Sequence, residues 1–76
     1  MIDFDQELDL TGLNCPLPIL RTKKALALVE PGTVIKVIGT DPGSPKEFHM
    51  FAKQGSAELI SITEDEDHYV YLLRKL

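Results

Sequence analysis

The stretch FDQELDLTGLNCPLPILRTKKALALV, Phe4 to Val29, decides the fold, because within it the hydrophobic period changes from that of a strand to that of a helix. Phe4, Gln6, Leu8 and Leu10 alternate with Asp5, Glu7 and Asp9. A period of two with apolar residues on one side predicts a first strand with one buried face. Thr11-Gly12-Leu13-Asn14 interrupts the alternation, and Gly12 suits a turn. From Pro16 to Val29 the pattern is helical. Ile19, Thr22 or Lys23, Leu26 and Val29 share one face with Leu20 and Ala27 beside it, while Arg21 and Lys24 point elsewhere with Leu28 one turn beyond Lys24.

Downstream, the same two periods repeat. Pro31-Gly32 ends the helix, and the β-branched run Thr33 to Ile38 predicts a second strand. Ser44-Pro45-Lys46-Glu47 has the form of a capping box with proline at the first helical position. Phe48, Phe51 and Ala52 supply the buried stripe of that second helix, and Gly55 is its stop. Ala57 to Thr63 and Tyr69 to Arg74 predict two further strands, with Glu64 to Asp67 as an acidic hairpin tip. The order is β-α-β-α-β-β. Strand-helix-strand units favour parallel crossovers and the last pair an antiparallel hairpin, so the expectation is an α/β fold, a mixed four-stranded sheet with two helices on one face. The uncovered face would then expose alternate strand residues, Tyr69, Tyr71 and Leu73 or their neighbours.

The chain has 76 residues, which predicts one domain spanning 1–76. A domain of this size buries only about 60% of its unfolded surface, so its core is thin and a deep multi-walled cleft is excluded. Function is expected on a surface or a single loop. With 43% hydrophobic and 26% charged residues the chain has a globular composition, not a disordered one. A net charge of −4 argues against sequence-independent nucleic-acid binding, which needs a basic footprint. One cysteine permits no internal disulfide, no CxxC redox pair and no zinc knuckle. The acidic start Met1-Ile2-Asp3-Phe4-Asp5 lacks the order of a signal peptide, and no apolar run approaches the ~20 residues of a membrane span. The expectation is a soluble, cytoplasmic, monomeric protein with no direct nucleic-acid or membrane partner.

The distinctive segment is Leu13-Asn14-Cys15-Pro16-Leu17-Pro18. Pro16 and Pro18 are tolerated in a first helical turn and stiffen it, and Cys15 before Pro16 is biased to the extended backbone of a capping residue. A thiolate at a helix N-terminus is stabilised by the helix dipole and by free N–H groups. Here the two prolines each remove an N–H, leaving Leu17 as the main early donor if Cys15 is the N-cap. Because Leu17 also precedes a proline, the helix could begin at Pro18. The expected thiol pKa is modestly below the ordinary value of about 8.5. A lone cysteine can equally be a small buried hydrophobe.

Other groups of residues carry less. His49 and His68 lie in different elements without metal-ligand spacing to Cys15, so no metal and no cofactor are expected. Arg21, Lys23 and Lys24 form a basic cluster on the first helix, either a solvated face or a docking stripe beside the thiol that Leu28 extends.

The run Leu8-Asp9-Leu10-Thr11-Gly12-Leu13-Asn14-Cys15-Pro16-Leu17-Pro18 resembles the opening signature of the TusA (SirA-like) sulfur-carrier family. The resemblance continues through Lys23-Lys24-Ala25-Leu26, Pro31-Gly32, Thr40-Asp41-Pro42-Gly43-Ser44 and Phe51. It implies a two-layer α/β sandwich. It also implies that Cys15, set by Gly12, Pro16 and Pro18, accepts persulfide sulfur from a donor such as a cysteine desulfurase or rhodanese and passes it to an acceptor protein. Family routes lead to tRNA thiolation, molybdenum cofactor synthesis or dissimilatory sulfur oxidation. Ser56 departs from the His or Asn that many relatives carry after the glycine. Two other readings stay open on the residues alone. One is a non-catalytic interaction or regulatory module using the open sheet face or the basic helix; the other is a small thiol-redox protein whose disulfides would be intermolecular.

Overall fold

The computed structural model describes residues 4–76. Met1, Ile2 and Asp3, read above as part of an acidic start, lie outside the described residues. In chain order the elements are β1 (Gln6–Leu10), α1 (Leu17–Ala27), β2 (Val34–Gly39), α2 (Ser44–Lys53), β3 (Ala57–Asp65) and β4 (His68–Lys75). The strands lie in the order β1-β2-β4-β3 in one sheet. β1 pairs parallel with β2, and β4 runs antiparallel to both β2 and β3. The expected β-α-β-α-β-β order and mixed sheet are therefore found, with one refinement. β2 and β3 are parallel in direction but not neighbours, because β4 returns between them.

Both helices cover one face. α1 lies over β1 and β2, and α2 over β3. Between the layers sit Leu10, Leu26, Ile35, Val37, Phe48, Phe51, Ala57, Tyr71 and Leu73, all buried. The period of two in β2 explains its share of this core: Ile35 and Val37 point to the helices, while Val34, Lys36 and Ile38 do not. In α2, Phe48 and Phe51 form the buried stripe that their spacing predicts, and Phe48 stacks on Tyr71 with ring centroids 4.1 Å apart.

Several expectations need correction. Tyr71 and Leu73 are fully buried under the helices and do not lie on the open face. Their half-buried neighbours Val70 and Leu72 face that side, in register with Ile38 and Lys36. Phe4 does not extend the buried side of β1. Asp5 accepts the Val34 N–H through its carboxylate (2.9 Å), and the exposed Phe4 ring lies beneath Lys36 Nζ, 5.1 Å from its centroid. Lys36 pairs with Glu7 on the uncovered face, so the chain has left the strand's alternation by Phe4. The acidic hairpin tip is shorter than predicted. Glu64 and Asp65 belong to β3, and Glu66-Asp67 alone make the turn, with Glu66 at φ 25°.

The capping box does not form either. Gly43 is the N-cap of α2 and no side chain caps its N–H groups. Ser44 Oγ, buried, donates instead to the Asp41 carbonyl (2.8 Å) and pairs with Tyr71 Oη (2.5 Å), while the Glu47 side chain turns towards Cys15. At the other end the helix stops as expected, with Gln54 as C-cap and Gly55 at φ 91°. No helix among the described residues is long and apolar enough to cross a membrane.

Candidate functional site

Adjacent parallel strands release their chains at the same end of a sheet, and loops leaving that end are the usual place for a site in α/β folds. Here the β1–α1 loop (residues 11–16) and the β2–α2 loop (residues 40–43) meet there. The Gly12 N–H donates to Thr40 Oγ1 (2.8 Å), and the Cys15 N–H donates to Asp41 Oδ2 (3.2 Å). Gly12 takes φ 81°, a conformation costly for any residue with a Cβ. Asp9 steadies the first loop from below by accepting both the N–H and the hydroxyl of Thr11. Those two bonds hold the Asp9 carboxyl below its usual range.

Cys15 is exposed and free. Its thiol donates a hydrogen bond to Glu47 Oε1, from the first turn of α2. This contact reverses the expectation of a lowered pKa. The thiol is pushed above its ordinary value, first by the hydrogen bond that keeps its proton on sulfur, then by partial desolvation, then by the negative charges of Glu47 and Asp41. The helix start does little to oppose them. Pro16, not Cys15, is the N-cap, and α1 begins at Leu17. The Leu17 N–H, the donor expected to face the thiolate, is already committed to the Asn14 carbonyl (2.9 Å). Pro16 and Pro18 offer none. Pro18 is buried, and its carbonyl accepts the Thr22 hydroxyl (2.8 Å), which ties the first turn into the core.

Asp41 and Glu47 are the site residues that sequence reasoning missed. They stand 26 and 32 positions from Cys15, and only the parallel pairing of β1 with β2 brings them beside it. The available signal was the position of Thr40-Asp41 directly after a strand expected to run parallel to β1.

The basic cluster of α1 is divided. Arg21, Lys24 and Leu28 border a groove against Leu8 and Ala25 on the β1 side. Lys23 turns the other way, into the cleft between the helices, with Nζ 5.8 Å from the Phe51 ring centroid. A single stripe of Arg21, Lys23, Lys24 and Leu28 is not present. His49 and His68 are both exposed on separate elements, and among the described residues no group of three or more His, Cys, Asp or Glu side chains is arranged to hold a metal ion.

Behind the site, Tyr71 Oη, Ser44 Oγ and the Asp41 carbonyl form a buried chain that braces the loop carrying Asp41. Burial raises the Tyr71 phenol to about 12, partly offset by its hydrogen bond with Ser44. A pKa raised on folding adds stability that is complete below the unfolded value near 10 and disappears as pH rises through the folded value. Wild-type stability should therefore fall by on the order of 2–3 kcal/mol between pH 10 and 12 from this group. Tyr71→Phe should start about 1 kcal/mol lower at pH 7 and lack that component of the alkaline fall. Urea unfolding at pH 7, 10 and 12 measures both; equal alkaline losses in the two proteins would refute this account.

The family model described as "Sulfurtransferase TusA" matches residues 6–75. The sulfur carrier protein TusA of Allochromatium vinosum is 55% identical over 75 residues, covering 99% of each chain. A putative sulfur carrier protein of Neisseria meningitidis is 42% identical over 69 residues, covering 91% of this chain and 93% of its own. Among solved structures, a SirA-like protein from Desulfitobacterium hafniense superposes with a TM-score of 0.75 at 26% identity, covering 93% of this chain and 96% of that one. Because the match runs from the first residue of β1 to the last of β4, the chain belongs to the TusA family of sulfurtransferases.

Proposed function

We propose that the protein is a sulfur carrier in which Cys15 bears the transferred atom as a persulfide. The observation that carries this reading is the exposed thiol held on the Glu47 carboxylate. Glu47 takes the thiol proton. The Cys15 thiolate attacks the outer sulfur of a donor protein's persulfide, a new S–S bond forms at Cys15, the donor's S–S bond breaks, and the donor leaves as a thiolate. In the second half, an acceptor nucleophile attacks the outer sulfur of the Cys15 persulfide. The Cys15 sulfur leaves as a thiolate and is reprotonated through Glu47. No redox equivalent is consumed in either half.

The composition supports a relay over a redox enzyme, since the chain has no second cysteine to resolve the persulfide as an internal disulfide. The donor is a cysteine desulfurase or a rhodanese, the acceptor is a downstream protein of a sulfur relay, and the carrier acts as a cytoplasmic monomer. Gly12 with Pro16 and Pro18 sets the loop that presents the thiol.

Incubation with a persulfide-loaded cysteine desulfurase should add about 32 Da to the protein, removable by a thiol reductant and absent in Cys15→Ala. No adduct on the wild type, or an adduct of equal yield on Cys15→Ala, would overturn the assignment. Retained partner binding by a protein that never gains mass would point instead to an interaction module.

A further inference from the structure

β1 is an edge strand with nothing paired along its outer side among the described residues. The Asp5 N–H donates to the Val34 carbonyl (2.8 Å), and in a parallel ladder residues alternate between facing the neighbour and facing away. Val34 turns both its carbonyl and its N–H to the β1 side, so Lys36 and Ile38 do the same. The register sets these two opposite Glu7 and Asp9. Because only one of two opposed residues in a parallel pair bonds across, the N–H and C=O groups of Glu7 and Asp9 point outwards. The opposite edge of the sheet is blunted: β3 carries a register shift between Leu59 and Ser61. β1 has no such device over its five residues.

Beside this free edge runs the groove bordered by Leu8, Arg21, Lys24, Ala25 and Leu28. Leu28 is 78% exposed, more than any other exposed large hydrophobic side chain described, and nothing in the fold uses it. The ion pairs among the described residues are Lys36–Glu7 and Arg74–Glu58, so Arg21 and Lys24 have no carboxylate partner in a chain of net charge −4. On the other side of β1, the exposed Glu7 and Asp9 give its uncovered face an acidic border.

We infer that the outer edge of β1 is a docking site for an extended segment of a partner protein, which adds to the sheet as a fifth strand. Strand addition takes affinity from main-chain hydrogen bonds and specificity from alternate side chains. The segment's residues on the helix side would be acidic and apolar, to meet Arg21, Lys24, Leu8 and Leu28; those on the uncovered side would be basic or neutral, to meet Glu7 and Asp9. A second copy of this chain does not fit. Its β1 would set Glu7 and Asp9 against their own like charges and offer uncharged Gln6, Leu8 and Leu10 to Arg21 and Lys24. A strand on this edge would also lie alongside the segment that leads from Leu10 to Cys15.

The test is titration of isotope-labelled protein with a synthetic peptide in which Glu and Leu alternate with Lys and Thr, followed by backbone amide resonances and hydrogen exchange. Binding should slow exchange at the Glu7 and Asp9 amides while leaving β3 unchanged. Glu7→Pro removes one outward N–H without touching the β1–β2 ladder and should abolish the protection. The exposed double reversal Arg21→Glu/Lys24→Glu, which leaves the edge backbone intact, should bind roughly tenfold more weakly at low salt, and added salt should weaken wild-type binding. Overturning results are the absence of binding, binding with Glu7 and Asp9 exchange unaltered, equal affinity for the double reversal, or equal affinity for a peptide with Lys in place of each Glu. Self-association that protects β1 without peptide would likewise replace the proposed partner with a second copy.

Discussion

In Glu47→Gln, the pH midpoint for alkylation of Cys15 should fall below that of the wild type, and alkylation at neutral pH should be faster. The substitution keeps an oxygen able to accept the thiol proton but removes the charge, and with it the strong preference for protonated sulfur. Asp41→Asn should shift the midpoint in the same direction by less, because Asp41 is the smallest of the four causes acting on the thiol. The measurement is the initial rate of iodoacetamide reaction from pH 6 to 10, with unfolded protein as reference. The wild-type midpoint should lie above the unfolded one. A midpoint that stays put or rises in Glu47→Gln would mean the carboxylate does not control this thiol. For a carrier, the sign has meaning. Between partners most Cys15 is protonated and slow to meet stray electrophiles, and reactivity awaits a complex that draws Glu47 away or neutralises it.

The largest effect on stability should come from Phe48→Ala, at about 3–5 kcal/mol. Phe48 is fully buried and lies flat against Tyr71, so the substitution leaves a void in the centre of the only hydrophobic cluster described. At ~0.05–0.15 kcal/mol per residue, 76 residues give a total stability of about 4–11 kcal/mol, so this one change removes a large fraction of it. Met50→Ala, in the same helix but 57% exposed, should stay within about 0.5 kcal/mol of the wild type. Urea denaturation followed by circular dichroism compares the pair. A loss below about 1 kcal/mol for Phe48→Ala would show that the core closes around the gap or that the ring contributes little.

The element order and the place of Cys15 were legible because each rests on local pattern. Alternation over Leu8 and Leu10, β-branching in β2, and proline at a helix start are all properties of neighbouring residues. What escaped is non-local or degenerate. In β4 both alternating sets are apolar, Tyr71 and Leu73 on one side and Val70 and Leu72 on the other, so period alone cannot choose the buried face. Ser44 and Glu47 satisfy the capping-box pattern, yet each has a better partner from another element, Tyr71 for one and Cys15 for the other. The sign of the thiol's pKa shift failed for the same reason: donors near in sequence were counted, and carboxylates arriving from the second loop were not.

The placement of β4 has a consequence for synthesis. It is the last of the four strands to be made, yet it sits between β2 and β3 and joins the two halves of the sheet. It also brings Tyr71, the innermost link in the brace behind Asp41. A ribosome that has delivered Cys15, Asp41 and Glu47 has not yet delivered the strand that holds their scaffold together. The Cys15 thiol thus acquires its braced acidic setting only once β4 has emerged.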